Sequence, residues 1–207
     1  MTNKIITISR AFGSGGRTIG REVAKRLGIP CYDKELVDKV AEESGFHADF
    51  IEEAGEYAPV TNSFLFNIAV SPNPMAMMGS MSMSDKLFVT QTNVIRSYAD
   101  QGPCVIIGRC ADYILRDRED CLHVFIHSDM EHRAKRIVEL YGETKQTPQK
   151  RLIDKDNKRK VYYKHYTGRN WGEAQNYHLS LNSGLIGVDK CVDFIVDIAK
   201  IYEHDGE

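Results

Sequence analysis

The feature that most constrains this chain is a glycine-rich turn set between a short apolar run and an amphipathic run near its start. Lys4-Ile5-Ile6-Thr7-Ile8-Ser9 is rich in β-branched residues and almost unbroken in apolar character, the pattern of a strand buried on both faces of a parallel sheet. Ala11-Phe12-Gly13-Ser14-Gly15-Gly16-Arg17-Thr18 follows at once. From Thr18 onward Ile19, Val23, Ala24 and Leu27 recur at helical spacing, interleaved with Arg21, Glu22, Lys25 and Arg26, and Gly28 ends the run. A parallel strand reaches its neighbour only through a crossover, so strand, glycine turn and helix together predict an α/β fold.

The rest of the chain continues the alternation. Strands are predicted near residues 29–32, at 104–107, 122–126 and 177–181, and helices over about 34–44, 47–54 and 86–100. Val188, Val192, Ile195 and Ile198 mark a closing amphipathic helix. Residues 71–84 hold Pro72, Pro74, Gly79 and five methionines, and read as an irregular loop or adaptable lining. The expected fold is a single domain over residues 1–207, a doubly wound parallel sheet with helices on both faces. Ligands bind such sheets at the carboxyl ends of the strands, where Arg10, Asp33, Arg109 and His127 all fall.

A net charge of −2 and a pI near 6.4 give the surface no general attraction for nucleic acid or anionic membrane, so an anion site has to be local. The five cysteines are scattered without a C-x-x-C pair and read as buried reduced thiols. The chain has neither a secretion-type start nor an apolar run near the roughly 20 residues that cross a bilayer. The expectation is a cytoplasmic protein with no membrane or nucleic-acid partner.

The glycine turn departs from the phosphate-loop pattern G-x-x-x-x-G-K-[ST] at Ala11 and at Arg17. Its physics survives both changes. Gly13, Ser14, Gly15 and Gly16 let the backbone curl so that successive N–H groups face inward, and the following helix adds its positive dipole end. Arg17 then supplies a cation to the bound polyphosphate of ATP, and the Thr18 hydroxyl is the expected Mg²⁺ ligand. The bland alternative is a turn that merely joins strand to helix.

Further along, Lys150, Arg151, Lys155, Lys158, Arg159 and Lys160 outweigh Asp154 and Asp156. Arg159 and Lys160, with Arg151 behind them, are read as cations that close over phosphates; the alternative is a solvated helix face. Arg109 directly follows an apolar strand, where a bidentate guanidinium suits phosphate or a salt bridge. Arg133 and Arg136, at helical spacing, read equally well either way. Asp33 fits the orientation of an acceptor or of a magnesium-bound water, and equally a helix N-cap. His127 is assigned to packing.

On Ile6-Thr7-Ile8-Ser9-Arg10 through Gly13-Ser14-Gly15-Gly16-Arg17, on Tyr32-Asp33, Gly108-Arg109 and Val124-Phe125-Ile126, and on Asp156-x-x-Arg159, the sequence resembles the cytidylate kinases along nearly its whole length. The resemblance implies a three-layer P-loop kinase fold with a five-stranded parallel sheet. It also implies ATP with Mg²⁺, and phosphoryl transfer to a nucleoside monophosphate, CMP or dCMP first. A helical acceptor lobe would span about 34–100 and a lid about 141–171, with Asp33, Arg109 and Asp156 at the acceptor and Arg17 and Arg159 catalytic. Two departures matter. Arg17 stands where those enzymes carry lysine, and Cys110 stands where an aspartate follows Gly-Arg to help read cytosine, with Asp112 two positions later. They keep open a kinase of a non-nucleotide small molecule, or a nucleotide-binding regulator with little turnover.

Overall fold

The computed structural model describes residues 5–49, 51 and 82–204. Most of the predicted 47–54 helix, the methionine-rich stretch and much of the acceptor lobe therefore lie outside the described residues. Five strands form one all-parallel sheet: β1 (Ile5–Arg10), β2 (Cys31–Tyr32), β3 (Cys104–Ile107), β4 (Cys121–His127) and β5 (Leu179–Asn182), in the order β2-β3-β1-β4-β5. The fifth strand sits slightly later than predicted.

The side-chain alternation of the central strands builds two cores. Ile6 and Ile8 of β1, Val105 and Ile107 of β3, and Leu122, Val124 and Ile126 of β4 face α1 (Gly16–Leu27) and the last helix, through Ile19, Val23, Val192 and Ile195. Ile5, Cys104, Ile106 and Cys121 face the other way. There they meet α2 (Lys34–Ser44) and α3 (Met83–Gln101), and an aromatic cluster in which Phe88 stacks on Tyr166 at 4.1 Å between ring centroids. Each fully buried isoleucine on these faces contributes about 1.5–3 kcal/mol, which is why the near-continuous apolar pattern of β1 reads so clearly.

The chain then adds α4 (Ala111–Ile114), α5 (Met130–Tyr141), α6 (Pro148–Thr167), α7 (Ser183–Ile186) and α8 (Val188–His204). Asp129 caps α5 by accepting from the His132 amide at 2.8 Å, and Thr147 caps α6, which carries Pro148 in its first turn. Among the described residues no helix is long and apolar enough to cross a membrane. All five strands point their carboxyl ends the same way, so the residues following β1, β2 and β3 converge on one edge.

Candidate phosphate-transfer site

The loop from Ala11 to Gly15 leaves β1 and enters α1 at Gly16, two residues earlier than the sequence predicts. The early start turns the unpartnered amides of the first helical turn toward the loop. At Gly13 φ is +80°, and a Cβ there would stand 2.9 Å from Ile137 Cγ2 and 3.0 Å from the Arg133 carbonyl. At Gly16 a Cβ would stand 2.4 Å from Arg10 Cβ. Only glycine lets the turn pass this closely under its neighbours. Ser14 does not face the cleft: its hydroxyl reaches the Ala11 and Ile126 carbonyls at 2.9 and 3.0 Å, while its own carbonyl accepts from the Ser183 hydroxyl at 2.6 Å. Its side chain pins the loop from behind.

The loop opens onto a cleft of about 450 Å³ lined by Arg10, Arg17, Arg109, Arg136, Lys155 and Arg159 against Asp33 and Asp49. Among the described residues six cations face two carboxylates, an excess that suits a polyphosphate in a site partly shielded from water. Gly13, Gly15, Gly16, Arg17, Thr18, Asp33, Arg109 and Arg159, all expected from the sequence, come together here.

Their partners refine their parts. Arg17 is half exposed and its Nε lies 3.1 Å from Asp33 Oδ1, while Arg21 donates to Asp33 Oδ2 at 2.9 Å. Asp33 is therefore occupied by two arginines, and its side chain does not cap α2. Thr18 Oγ1 accepts from Arg136 Nη2 at 3.1 Å. Arg159 is buried, donates to the Arg10 carbonyl at 3.2 Å and lies over the Phe12 ring at 5.9 Å.

Asp156 does not line the cleft. One of its oxygens accepts from the Phe12 amide at 2.8 Å and the other from Arg133, so it straps the glycine loop to α6 and α5. The structure thus does not bring Asp156, expected at the acceptor, into the cleft: each of its oxygens is bonded by protein. Asp112 is likewise committed, accepting from Ser9 at 3.0 Å and from Tyr163 at 2.6 Å, and burial holds its carboxyl above its ordinary value against those two bonds. It does not stand in for the aspartate that Cys110 replaces.

Two expectations for the basic segment fail and two cations come in that the sequence left unweighted or undecided. Arg151 turns away to donate to the Gly142 carbonyl at 2.9 Å, and Lys160 lies on another face of α6, beside His165 and Trp171. Lys155 enters the cleft instead, one helical turn before Arg159. That i,i+4 spacing was the available signal, since residues 159 and 160 point about 100° apart on a helix. Arg136 also lines the cleft, whereas Arg133, three residues earlier, is turned inward to Asp156 and the Phe12 carbonyl.

Of the oxygen donors on the cleft wall, the Thr18 hydroxyl is engaged by Arg136 and Asp33 by Arg17 and Arg21, so the residues fit a Mg²⁺ only of the kind held chiefly by phosphate and water. Among the described residues no group of three or more His, Cys, Asp or Glu forms a closed metal cage.

Comparison with known proteins agrees with this geometry. A crystal structure of an uncharacterized protein from Eubacterium ventriosum is similar over 96% of this chain and 99% of its own, at 29% identity and a TM-score of 0.72. Shikimate kinase from Bacteroides thetaiotaomicron covers 95% of this chain and 98% of its own, at 14% identity and a TM-score of 0.55. A gluconokinase from Sinorhizobium meliloti covers 100% and 99%, at 12% identity and the same TM-score of 0.55. These last two share the fold. No curated protein matches significantly. Residues 5–185 match the cytidylate kinase-like family, and the chain, with its five-stranded P-loop kinase fold, belongs to that family.

Proposed function

We propose that the chain transfers the γ-phosphoryl group of ATP to a nucleoside monophosphate, with CMP or dCMP the first acceptors to try. The observation that carries this reading is the cleft in which the glycine loop, Arg109 and Arg159 meet, lined among the described residues by six cations and two carboxylates. Phosphoryl transfer requires little covalent work from the protein; alignment of donor and acceptor and neutralisation of moving charge do most of it.

In this reading the amides of Gly13, Gly15 and Gly16 hold the polyphosphate and Arg17 covers it from α1, while Ser14, whose own amide donates to the Ala11 carbonyl at 3.2 Å, braces the loop. Thr18, once its hydroxyl is released by Arg136, would help hold Mg²⁺, which would supply neutralisation of phosphate charge. Arg109 binds the acceptor. Arg159, with Lys155 beside it, stabilises the group in flight when residues 141–171 act as a lid over it, excluding water that would otherwise hydrolyse ATP. Asp33 and Asp156 act by support: the first steadies Arg17, the second ties the glycine loop to the lid helix.

A second reading, a kinase of a non-nucleotide small molecule, is favoured by one observation. Cys110 replaces the cytosine-reading aspartate and Asp112 is sequestered by Ser9 and Tyr163. A coupled ADP-release assay across CMP, dCMP, UMP, AMP, GMP, shikimate and gluconate tests both. Turnover with CMP or dCMP above the others upholds the first reading; turnover confined to a non-nucleotide replaces it.

A further inference from the structure

We propose that Gln91 is a positioning residue for Arg109, fixing the guanidinium that meets the acceptor; this rests on the phosphotransferase reading above. Gln91 lies on α3 and is fully buried. Its carboxamide grips Arg109 at both ends. Oε1 accepts from Arg109 Nη1 at 3.0 Å, and Nε2 donates to the Arg109 backbone carbonyl at 3.2 Å. Nε2 also reaches the Tyr162 hydroxyl at 3.4 Å, and the Ile51 carbonyl accepts from Arg109 Nη1 at 3.3 Å.

The backbone explains why such a grip is needed. Arg109 and Cys110 have φ of +54° and +58°, and among the described residues they are the non-glycine residues in this left-handed region. That conformation is disfavoured for a residue carrying a Cβ and persists where surroundings over-determine it, commonly at a functional site. Here the strain accompanies the turn by which Arg109, the second residue after β3, enters the cleft. Gln91 holds the carbonyl that follows the unfavourable φ as well as the tip of the side chain it redirects. A carboxamide both donates and accepts; ionised glutamate keeps only the acceptor, and methionine offers no donor and only a weakly accepting sulfur. A residue needed for packing alone would be apolar, because burying an amide is costly unless each of its groups is bonded.

Three variants test this: Gln91→Met, Gln91→Glu, and Tyr162→Phe, which removes the other partner of Gln91 and leaves both Arg109 contacts. Two measurements apply to each: steady-state kinetics with CMP and MgATP, and ¹⁵N NMR of the Arg109 guanidinium. Gln91→Met is expected to raise the KM for CMP roughly ten- to a hundredfold, to leave the KM for ATP within about twofold, and to average the guanidinium signals that the wild type keeps distinct. Gln91→Glu should fall between the two, and Tyr162→Phe should behave as wild type. If Gln91→Met fails to fold, Gln91→Glu is read by the same criteria. A folded Gln91 variant with wild-type CMP kinetics, or equal losses for both substrates, or Tyr162→Phe matching Gln91→Met, would overturn the proposal. If wild type does not turn over CMP, the acceptor assignment falls. The NMR comparison then decides alone: a guanidinium equally restrained in Gln91→Met overturns the positioning role, and a released one upholds it.

Discussion

Arg17 and Arg109 line the same cleft and are held in opposite ways. Arg17 stands on the first turn of α1 with its side chain 47% exposed and a single carboxylate, Asp33, beside its Nε. Arg109 is 6% exposed, left-handed in its backbone, and bonded by Gln91 and the Ile51 carbonyl. The exposed arginine keeps most of its rotamer freedom until a ligand orders it; the buried one has lost that freedom on folding. The difference fits the two substrates proposed for the cleft. Backbone amides already define where a polyphosphate sits, so the cation over it can adapt, whereas a second substrate with no such cradle depends on a guanidinium fixed beforehand.

The largest effect expected in the cleft belongs to Arg159, which sits between the two regimes: buried on α6, yet part of the element proposed to close. Arg159→Ala is expected to lower kcat about a hundred- to a thousandfold with little change in either KM, by analogy with the loss of one oxyanion-stabilising donor. Stopped-flow or coupled ADP release measures this, and an unchanged kcat would remove the residue from the site.

Next is the acceptor side. Arg109→Ala should lower kcat/KM for the acceptor roughly ten- to a hundredfold, the value of one charge-assisted hydrogen bond, while ATP affinity stays near wild type. Arg109→Lys should fare almost as badly, since an ammonium cannot bond Gln91, the Ile51 carbonyl and a ligand in one plane. Good rescue by lysine would break the contrast drawn here.

Arg17 should be the more forgiving. Arg17→Ala is expected to weaken ATP binding by about tenfold or less, read as a smaller rise in Tm at millimolar MgATP, and Arg17→Lys should restore most of it. A wild-type Tm unmoved by MgATP would sink the phosphate loop altogether.

The smallest effect concerns Asp112, bonded to Ser9 and Tyr163. Because burial raises the Asp112 carboxyl, its ionised form is disfavoured in the folded chain. Stability linked to this group is therefore present below the ordinary carboxylate value near 3.9 and lost as pH rises through the raised one. Asp112→Asn removes that loss, so the Tm of the variant relative to wild type should be most favourable at neutral pH and become less so on acidification. A Tm difference that does not vary with pH would show that Asp112 carries no such penalty.

Much of this architecture was legible before any coordinate. The glycine turn between a buried strand and an amphipathic helix, the alternation that follows, and the polar residues at strand ends are local patterns, set by backbone sterics and by which side chains avoid water. They located Gly13, Gly16, Arg17, Thr18 and Arg109 and gave a parallel α/β sheet. Helix α2 was placed at its observed ends, because Gly45 provides a left-handed stop. What pattern could not supply was the pairing of polar groups far apart in sequence. Asp156 reaches the Phe12 amide across 144 residues, Ser183 braces the Ser14 carbonyl across 169, and Gln91, an ordinary polar residue of a helix by sequence, becomes a fully buried ligand of Arg109. Which face of the basic helix enters the cleft was also beyond the pattern, since helical phase is set by what the helix packs against; only with Arg159 placed does the i,i+4 spacing point to Lys155. Periodicity determines which faces are buried; the partner of each buried charge is chosen only when the layers close and every desolvated donor and acceptor has to be satisfied.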